Sequence, residues 1–144
     1  VSNFAKPGHL CRHNWLYWQD GYFLGVGLSA WSYLPDTGSS TGRRLHTTDR
    51  LVSYLQAGEM VCHLDVRTPE SWLTEYVGSG LRCRGGLDLA LIQERTDYVF
   101  TPTDAVNRAL AAGTLQIKGS RLTLDAYEWF RETAWAGMVL ECFF

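Results

Sequence analysis

The run Thr101-Pro102-Thr103-Asp104-Ala105-Val106-Asn107-Arg108-Ala109-Leu110-Ala111-Ala112-Gly113-Thr114-Leu115-Gln116-Ile117-Lys118-Gly119-Ser120-Arg121-Leu122-Thr123-Leu124 changes its period halfway along. Thr101-Pro102-Thr103-Asp104 opens a helix, Val106, Leu110 and Ala111 share one face of it, and Gly113 stands just past its end. Residues 114–118 and 121–124 then alternate around Gly119-Ser120, the pattern of a two-stranded hairpin. On the C-terminal side, Asp125 with Glu128 three residues on is expected to cap a closing helix through Trp129, Phe130, Trp135 and Met138. On the N-terminal side three more helices are written. One covers residues 87–94, and one is introduced by Thr68-Pro69-Glu70 and carries Trp72, Leu73, Tyr76 and Val77. The third is capped by Thr47 or Thr48, runs through Leu51, Val52, Tyr54 and Leu55, and stops at Gly58. Helix, helix, hairpin, helix is the order of a winged-helix-like unit, which is a packing solution before it is a function.

The text before residue 47 differs. Residues 35–44 (PDTGSSTGRR) read as a loop by composition, and residues 22–28 (YFLGVGL) as a buried strand whose two glycines admit close approach of a backbone or ligand. The expected organisation is therefore residues 1–34 as one unit, 35–46 as a linker, and 47–144 as a mainly helical, winged-helix-like C-terminal domain, an α+β chain overall.

With 144 residues, 46% of them hydrophobic and 19% charged, the chain can bury a core. A formal net charge of −2 sets up no field for a phosphate backbone, and the helix over residues 103–112 offers only Arg108 against Asp104, which argues against nucleic acid as a partner. No stretch approaches the roughly 18 consecutive apolar residues of a membrane span, and the first residues lack the regions of a signal peptide, so the expected compartment is the cytoplasm. Cys11, Cys62, Cys83 and Cys142 fall in no C-x-x-C or cluster-loop spacing and read as reduced thiols. Val1 stands where an initiating Met would, so the chain is expected to be a piece of something longer.

Chemistry concentrates in Lys6-Pro7-Gly8-His9-Leu10-Cys11-Arg12-His13-Asn14-Trp15-Leu16-Tyr17-Trp18. Imidazole can ligate iron, large rings stack on a flat macrocycle, and Lys or Arg can pair with propionates at its rim. On a short helix His13, Tyr17 and Trp18 lie near one side. The same residue types also suit an aromatic core cluster whose His is satisfied by a backbone carbonyl, and residue types alone leave both readings open.

The run SNFAKPGHxCxHNxxYW followed by YFLGVGLSAWSYL resembles the corresponding segment of HemW-type haem chaperones, radical SAM proteins related to oxygen-independent coproporphyrinogen III oxidases. The signature HNxxYW falls on His13, Asn14, Tyr17 and Trp18. Residues 44–58 look like the family's linker helix, residues 75–82 (EYVGSGLR) are similar to its E-x-x-x-x-G-L-R pattern, and residues 110–124 resemble its winged-helix-like ending. The chain departs from the pattern at Ser29-Ala30-Trp31-Ser32, where the chaperones have a G-A-H-S-like segment, so Trp31 stands in place of an imidazole.

The resemblance implies that residues 1–34 end a partial (β/α) barrel and that the [4Fe-4S] cluster and S-adenosylmethionine site belong to the parent protein upstream. By itself the chain is then not an enzyme; it would help bind haem or porphyrin for delivery to a recipient haem protein. His13 is the implied haem-iron ligand, Asn14 its orienting partner, and Tyr17 and Trp18 the apolar wall of the pocket. His9 and Cys11 are weaker ligand candidates, and Lys6 and Arg12 candidates for propionate pairing. The alternatives are part of a coproporphyrinogen III oxidase, or a non-catalytic winged-helix module that binds protein or nucleic acid. An exposed barrel edge would also invite self-association.

Overall fold

A computed structural model describes residues 4–56 and 62–144. In order these form α1 (Arg12–Trp18), β1 (Trp31–Asp36), β2 (Ser39–Thr47), α2 (Leu51–Gln56), β3 (Cys62–Val66), α3 (Pro69–Gly80), β4 (Leu87–Asp88), α4 (Leu89–Thr96), α5 (Asp104–Ala111), β5 (Leu115–Lys118), β6 (Arg121–Leu124), a 3₁₀ segment (Ala126–Arg131) and α6 (Glu132–Leu140). The chain is α+β, with two antiparallel three-stranded sheets ordered β1-β2-β3 and β4-β6-β5.

α3 and α5 start where the sequence places their caps. The Thr68 hydroxyl accepts from Ser71 N at 3.2 Å with Pro69 in the first turn, and Thr103 accepts from Val106 N at 3.4 Å. The helix expected over residues 87–94 begins later, because Leu87 and Asp88 pair with β6 and the Asp88 carboxylate then accepts from Ala90 N at 3.1 Å to start α4. At the other ends, Gly113 follows α5 with φ +77 and Gly119 turns the β5–β6 hairpin with φ +60, the left-handed region in which glycine carries no Cβ penalty. Each of these elements sends an apolar stripe into one core. Trp72, Leu73, Val77, Leu81, Leu87 and Ile92 are fully buried there, together with Val106, Leu115, Leu122 and Val139. The closing helix differs from expectation at its start. Asp125 Oδ1 accepts from Tyr127 N at 2.9 Å, but the Glu128 carboxylate turns forward to Trp135 Nε1 at 3.0 Å instead of back to the cap, and the backbone stays 3₁₀ until Glu132. The Gly58 stop expected for α2 lies outside the described residues, and so does the Cys62 thiol; Cys11, Cys83 and Cys142 are free.

Upstream of residue 67 two expectations are corrected. Residues 35–44, expected as loop, lie mostly in the β1–β2 hairpin; Pro35 sits where the register shifts between Leu34 and Asp36, a bulge that tolerates the missing N–H. Residues 22–28, expected as a buried strand, make a single bridge, in which Phe23 and Tyr33 exchange hydrogen bonds of 2.8 and 2.9 Å. Leu24 and Val26 are 69% and 86% exposed. The glycine reading survives at Gly25, where a Cβ would stand 2.0 Å from the Trp31 carbonyl oxygen, and Ser32 Oγ accepts from Gly25 N at 3.0 Å. β3 had no expected counterpart; it completes the sheet by pairing with residues 43–47 of β2.

Candidate functional site

The aromatic run from Trp15 ends in Asp20-Gly21, and the turn it makes determines the site. Asp20 adopts φ 55, a left-handed conformation that Asp tolerates better than most residues, and this carries its carboxylate inward. Oδ1 accepts from Arg67 Nη1 at 3.0 Å; Oδ2 accepts from Trp72 Nε1 at 2.6 Å, Arg95 Nη1 at 2.7 Å and Tyr33 OH at 3.0 Å. One side chain thus joins the N-terminal segment to β1, to Arg67 between β3 and α3, to α3 itself and to α4. The Asp20 side chain is 11% exposed and that of Arg67 3%, so these are pairs largely removed from water. Arg67 also donates through Nη2 to Glu75 at 2.9 Å, and Glu75 in turn holds the Arg44 guanidinium. Both cations lie over rings: the Arg67 guanidinium carbon is 5.0 Å from the Tyr33 centroid, and that of Arg95 is 5.4 Å from Tyr22.

Tyr33 is the buried centre of this cluster. Its hydroxyl donates to the Thr41 carbonyl at 2.7 Å and reaches Asp20. Burial and the Asp20 charge push its pKa up to about 12, against the opposing pull of Arg67 and Arg95, so the phenol stays neutral and works as a hydrogen-bonding post.

Above the cluster lies a cleft of about 340 Å³. Tyr17, Gly21 and Phe23 form one part of its lining; Trp31, Ser32 and Tyr33 from β1, with Arg44 and Arg67, form the rest, and Asp20 lies beneath. Arg67 lines the cleft, and its Nε is buried with no hydrogen-bond partner among the described residues. The chemistry on offer is aromatic walls, a guanidinium donor for an anionic group, and imidazoles in contact with the wall rings.

The HNxxYW segment is α1. His13 is exposed, with its ring edge-on to Tyr17 at 5.0 Å and Nε2 3.2 Å from the Tyr17 hydroxyl. Tyr17 meets Phe23 edge-on at 4.4 Å and lines the cleft; Asn14 is exposed, and Trp18 is half-buried on the helix. Lys6, His9, Cys11 and Arg12 are exposed; Arg12, with Leu10 and Trp15, borders a second, smaller hollow of about 270 Å³. The polar residues that anchor the cleft, Asp20, Tyr33, Arg67 and Arg95, escaped sequence reasoning. The one local signal was Asp20-Gly21 placed directly after five residues that include two Trp and a Tyr. Among the described residues, no three His, Cys, Asp or Glu side chains come together to hold a metal ion, and no helix is long and apolar enough to cross a membrane.

Comparison with known proteins places this arrangement in a class. The chain is 31% identical over 130 residues to heme chaperone HemW of Synechocystis, an alignment covering 88% of this chain and 29% of that protein. It is 31% identical over 128 residues to heme chaperone HemW of Mycobacterium tuberculosis, covering 86% of this chain and 30% of that one. With the mitochondrial radical S-adenosyl methionine domain-containing protein 1 of Bos taurus it shares 36% identity over 111 residues, 70% of this chain and 21% of the relative. The chain belongs to the HemW-type radical SAM family and corresponds to its C-terminal part. It spans less than a third of the length of these relatives. No family model matches the chain, and no solved structure does.

Proposed function

We propose that the chain is the C-terminal portion of a radical SAM haem chaperone and that it holds haem or porphyrin in the cleft between α1 and the β1–β2 hairpin, for delivery to a haem protein. The observation that carries this reading is the meeting, at one cleft, of Tyr17 from the HNxxYW segment with the Phe23 and Trp31 rings and the Arg44 guanidinium. A tetrapyrrole offers a flat face for the Tyr17, Phe23 and Trp31 rings and propionates for a guanidinium. In this reading His13 ligates the iron, Asn14 orients the ligand set, and Tyr17 and Trp18 form the wall. The names of the relatives favour the chaperone over a coproporphyrinogen oxidase. The iron–sulfur cluster and S-adenosylmethionine of the parent protein would be held outside these residues.

The same reading makes residues 1–34 the end of the barrel domain, with the strands of residues 35–46 joining it to the C-terminal domain. The apolar side chains of Phe4, Leu10, Leu24 and Val26, each more than half exposed, would be covered by the remainder of the longer protein. The order α3, β4, α4, α5, β5, β6, with β6 central in its sheet, supports a winged-helix-like ending. A hemin titration followed at the Soret band tests the proposal on the unsubstituted chain, His13→Ala and Tyr17→Ala. Saturable binding that weakens in both variants is expected; no saturable binding, or equal binding by all three proteins, would overturn it.

A further inference from the structure

Two arginines line the cleft, and the structure gives them different freedom. Arg67 is closed in: its side chain is almost fully buried, Nη1 donates to Asp20 at 3.0 Å and Nη2 to Glu75 at 2.9 Å. Arg44 stands opposite Tyr33 in the β1–β2 ladder, on the same face of the sheet, and its side chain is 30% exposed. Both of its terminal nitrogens donate to the Glu75 carboxylate, Nη1 to Oε1 at 3.2 Å and Nη2 to Oε2. The Glu75 side chain is 45% exposed, so this pair stands at the edge of the solvent, where an ion pair contributes little and its partners exchange.

Glu75 opens the stretch EYVGSGLR, whose other distinctive residues serve the fold. Gly80 packs against Leu87 with no room for a Cβ, Leu81 is fully buried in the core, and Arg82 Nη2 is 3.1 Å from Glu132. Glu75 turns instead to the two arginines of the cleft. The ion pairs make one chain, Arg44–Glu75–Arg67–Asp20–Arg95, in which three cations alternate with two anions. Asp65, half-exposed, is 3.8 Å from Arg44 Nη1, beyond hydrogen-bonding distance. A carboxylate brought to Arg44 would complete the alternation. Glu75, released by Arg44, would still hold Arg67, so the exchange leaves no buried charge without a partner.

We propose that Arg44 is the residue by which the cleft selects ligands with a carboxylate at the edge of a flat ring, and that Glu75 is its internal competitor. Glu75 holds the Nη1–Nη2 fork until a ligand carboxylate displaces it, and Arg44 passes from one carboxylate to the other. This rests on the reading of the cleft as a tetrapyrrole site. The Tyr17, Phe23 and Trp31 rings take the flat face whatever its edge carries, and the discrimination comes from the arginine fork, which matches a carboxylate and not an ester.

The test uses the 144-residue chain with metal-free protoporphyrin and with its dimethyl ester, so that iron ligation plays no part, and reads binding by quenching of tryptophan fluorescence. The unsubstituted chain is expected to bind the free acid about tenfold or more tightly than the ester. Arg44→Gln should bring the acid down to the affinity of the ester and leave the ester unchanged. Glu75→Gln should act the other way, tightening the acid by about two- to fivefold, the range of a partly exposed ion pair, again with no change for the ester. Asp65→Asn removes a nearby charge without freeing the fork and should tighten the acid less. Equal affinities for acid and ester in the unsubstituted chain overturn the proposal and leave the cleft reading standing. So do an Arg44→Gln chain that keeps its preference for the acid, a Glu75→Gln chain that binds the acid no more tightly, and equal tightening by Asp65→Asn. Binding of neither compound by the unsubstituted chain overturns both. Should circular dichroism show Arg44→Gln unfolded, Arg44→Lys, which keeps the charge and loses the fork, is judged by the same comparison, with a reduced preference for the acid expected and an undiminished one overturning the proposal.

Discussion

Replacing Asp20 by Asn keeps the size of the side chain and the tolerance of a positive φ, and removes the charge that faces Arg67 and Arg95. The amide has one acceptor oxygen where the carboxylate has two. In the better orientation the oxygen takes the Oδ2 position and retains Trp72, Arg95 and Tyr33, while the NH₂ group points at Arg67 Nη1, donor against donor. In the other orientation three donors lose their acceptor. Breaking a buried pair by removing one partner costs about 3–5 kcal/mol, because the other charge is left in place. Arg67 keeps Glu75, so the lower end, about 3 kcal/mol, is expected for Asp20→Asn. Against a typical total of about 5–15 kcal/mol that is a large fraction, visible as a drop in the urea midpoint followed by tryptophan fluorescence. Adding Arg95→Met to Asp20→Asn should then cost less than Arg95→Met alone, with a coupling of about 1 kcal/mol or more. A loss below about 1 kcal/mol for Asp20→Asn, or additive single effects, would refute the view that this carboxylate ties the N-terminal segment to the core.

Stability should also fall in alkali. The Tyr33 pKa is raised from 10.0 to about 12, so the folded state prefers the neutral phenol; the contribution is complete below pH 10 and is lost as pH rises to 12. A shift of that size corresponds to roughly 2–3 kcal/mol, and alkaline denaturation of Tyr33→Phe, lower in stability at neutral pH, should lack this slope; equal slopes in both proteins would count against it. Gly86→Ala places a Cβ 2.1 Å from the Leu122 carbonyl oxygen at φ +61, and should cost well over the roughly 1 kcal/mol expected for Gly119→Ala, where φ is +60 and nothing lies within 4 Å. Thermal melts of the two variants decide it, and equal losses would refute the close packing of β4 on β6.

Legibility in the sequence followed the range of the interactions. Thr68-Pro69, Thr103-Asp104, Gly113 and Gly119 act within a few residues, and the elements they bound were readable from them. Residues 39–47 were not, because Ser, Thr and Gly suit a loop locally and the strand exists through partners at residues 31–36 and 62–66. Residues 22–28 show the converse: an apolar run suggests burial, but Leu24 and Val26 find no cover among the described residues. The site divides in the same way. The HNxxYW residues stand out as text, whereas Asp20 joins Arg67, Trp72 and Arg95 across separations of 47, 52 and 75 residues, and no local pattern announces that.

Those separations also set an order of events during synthesis. The core is built entirely from residues 72–143, and the aromatic segment leaves the ribosome before any of it. At about 5–20 residues per second, Asp20 waits some 4–15 seconds for Arg95, with its carboxylate in water and the Tyr17, Trp18 and Phe23 rings beside it unsupported. The cleft therefore takes shape well after its first wall is made, and a ligand meeting the nascent chain would find the signature residues present and the site absent.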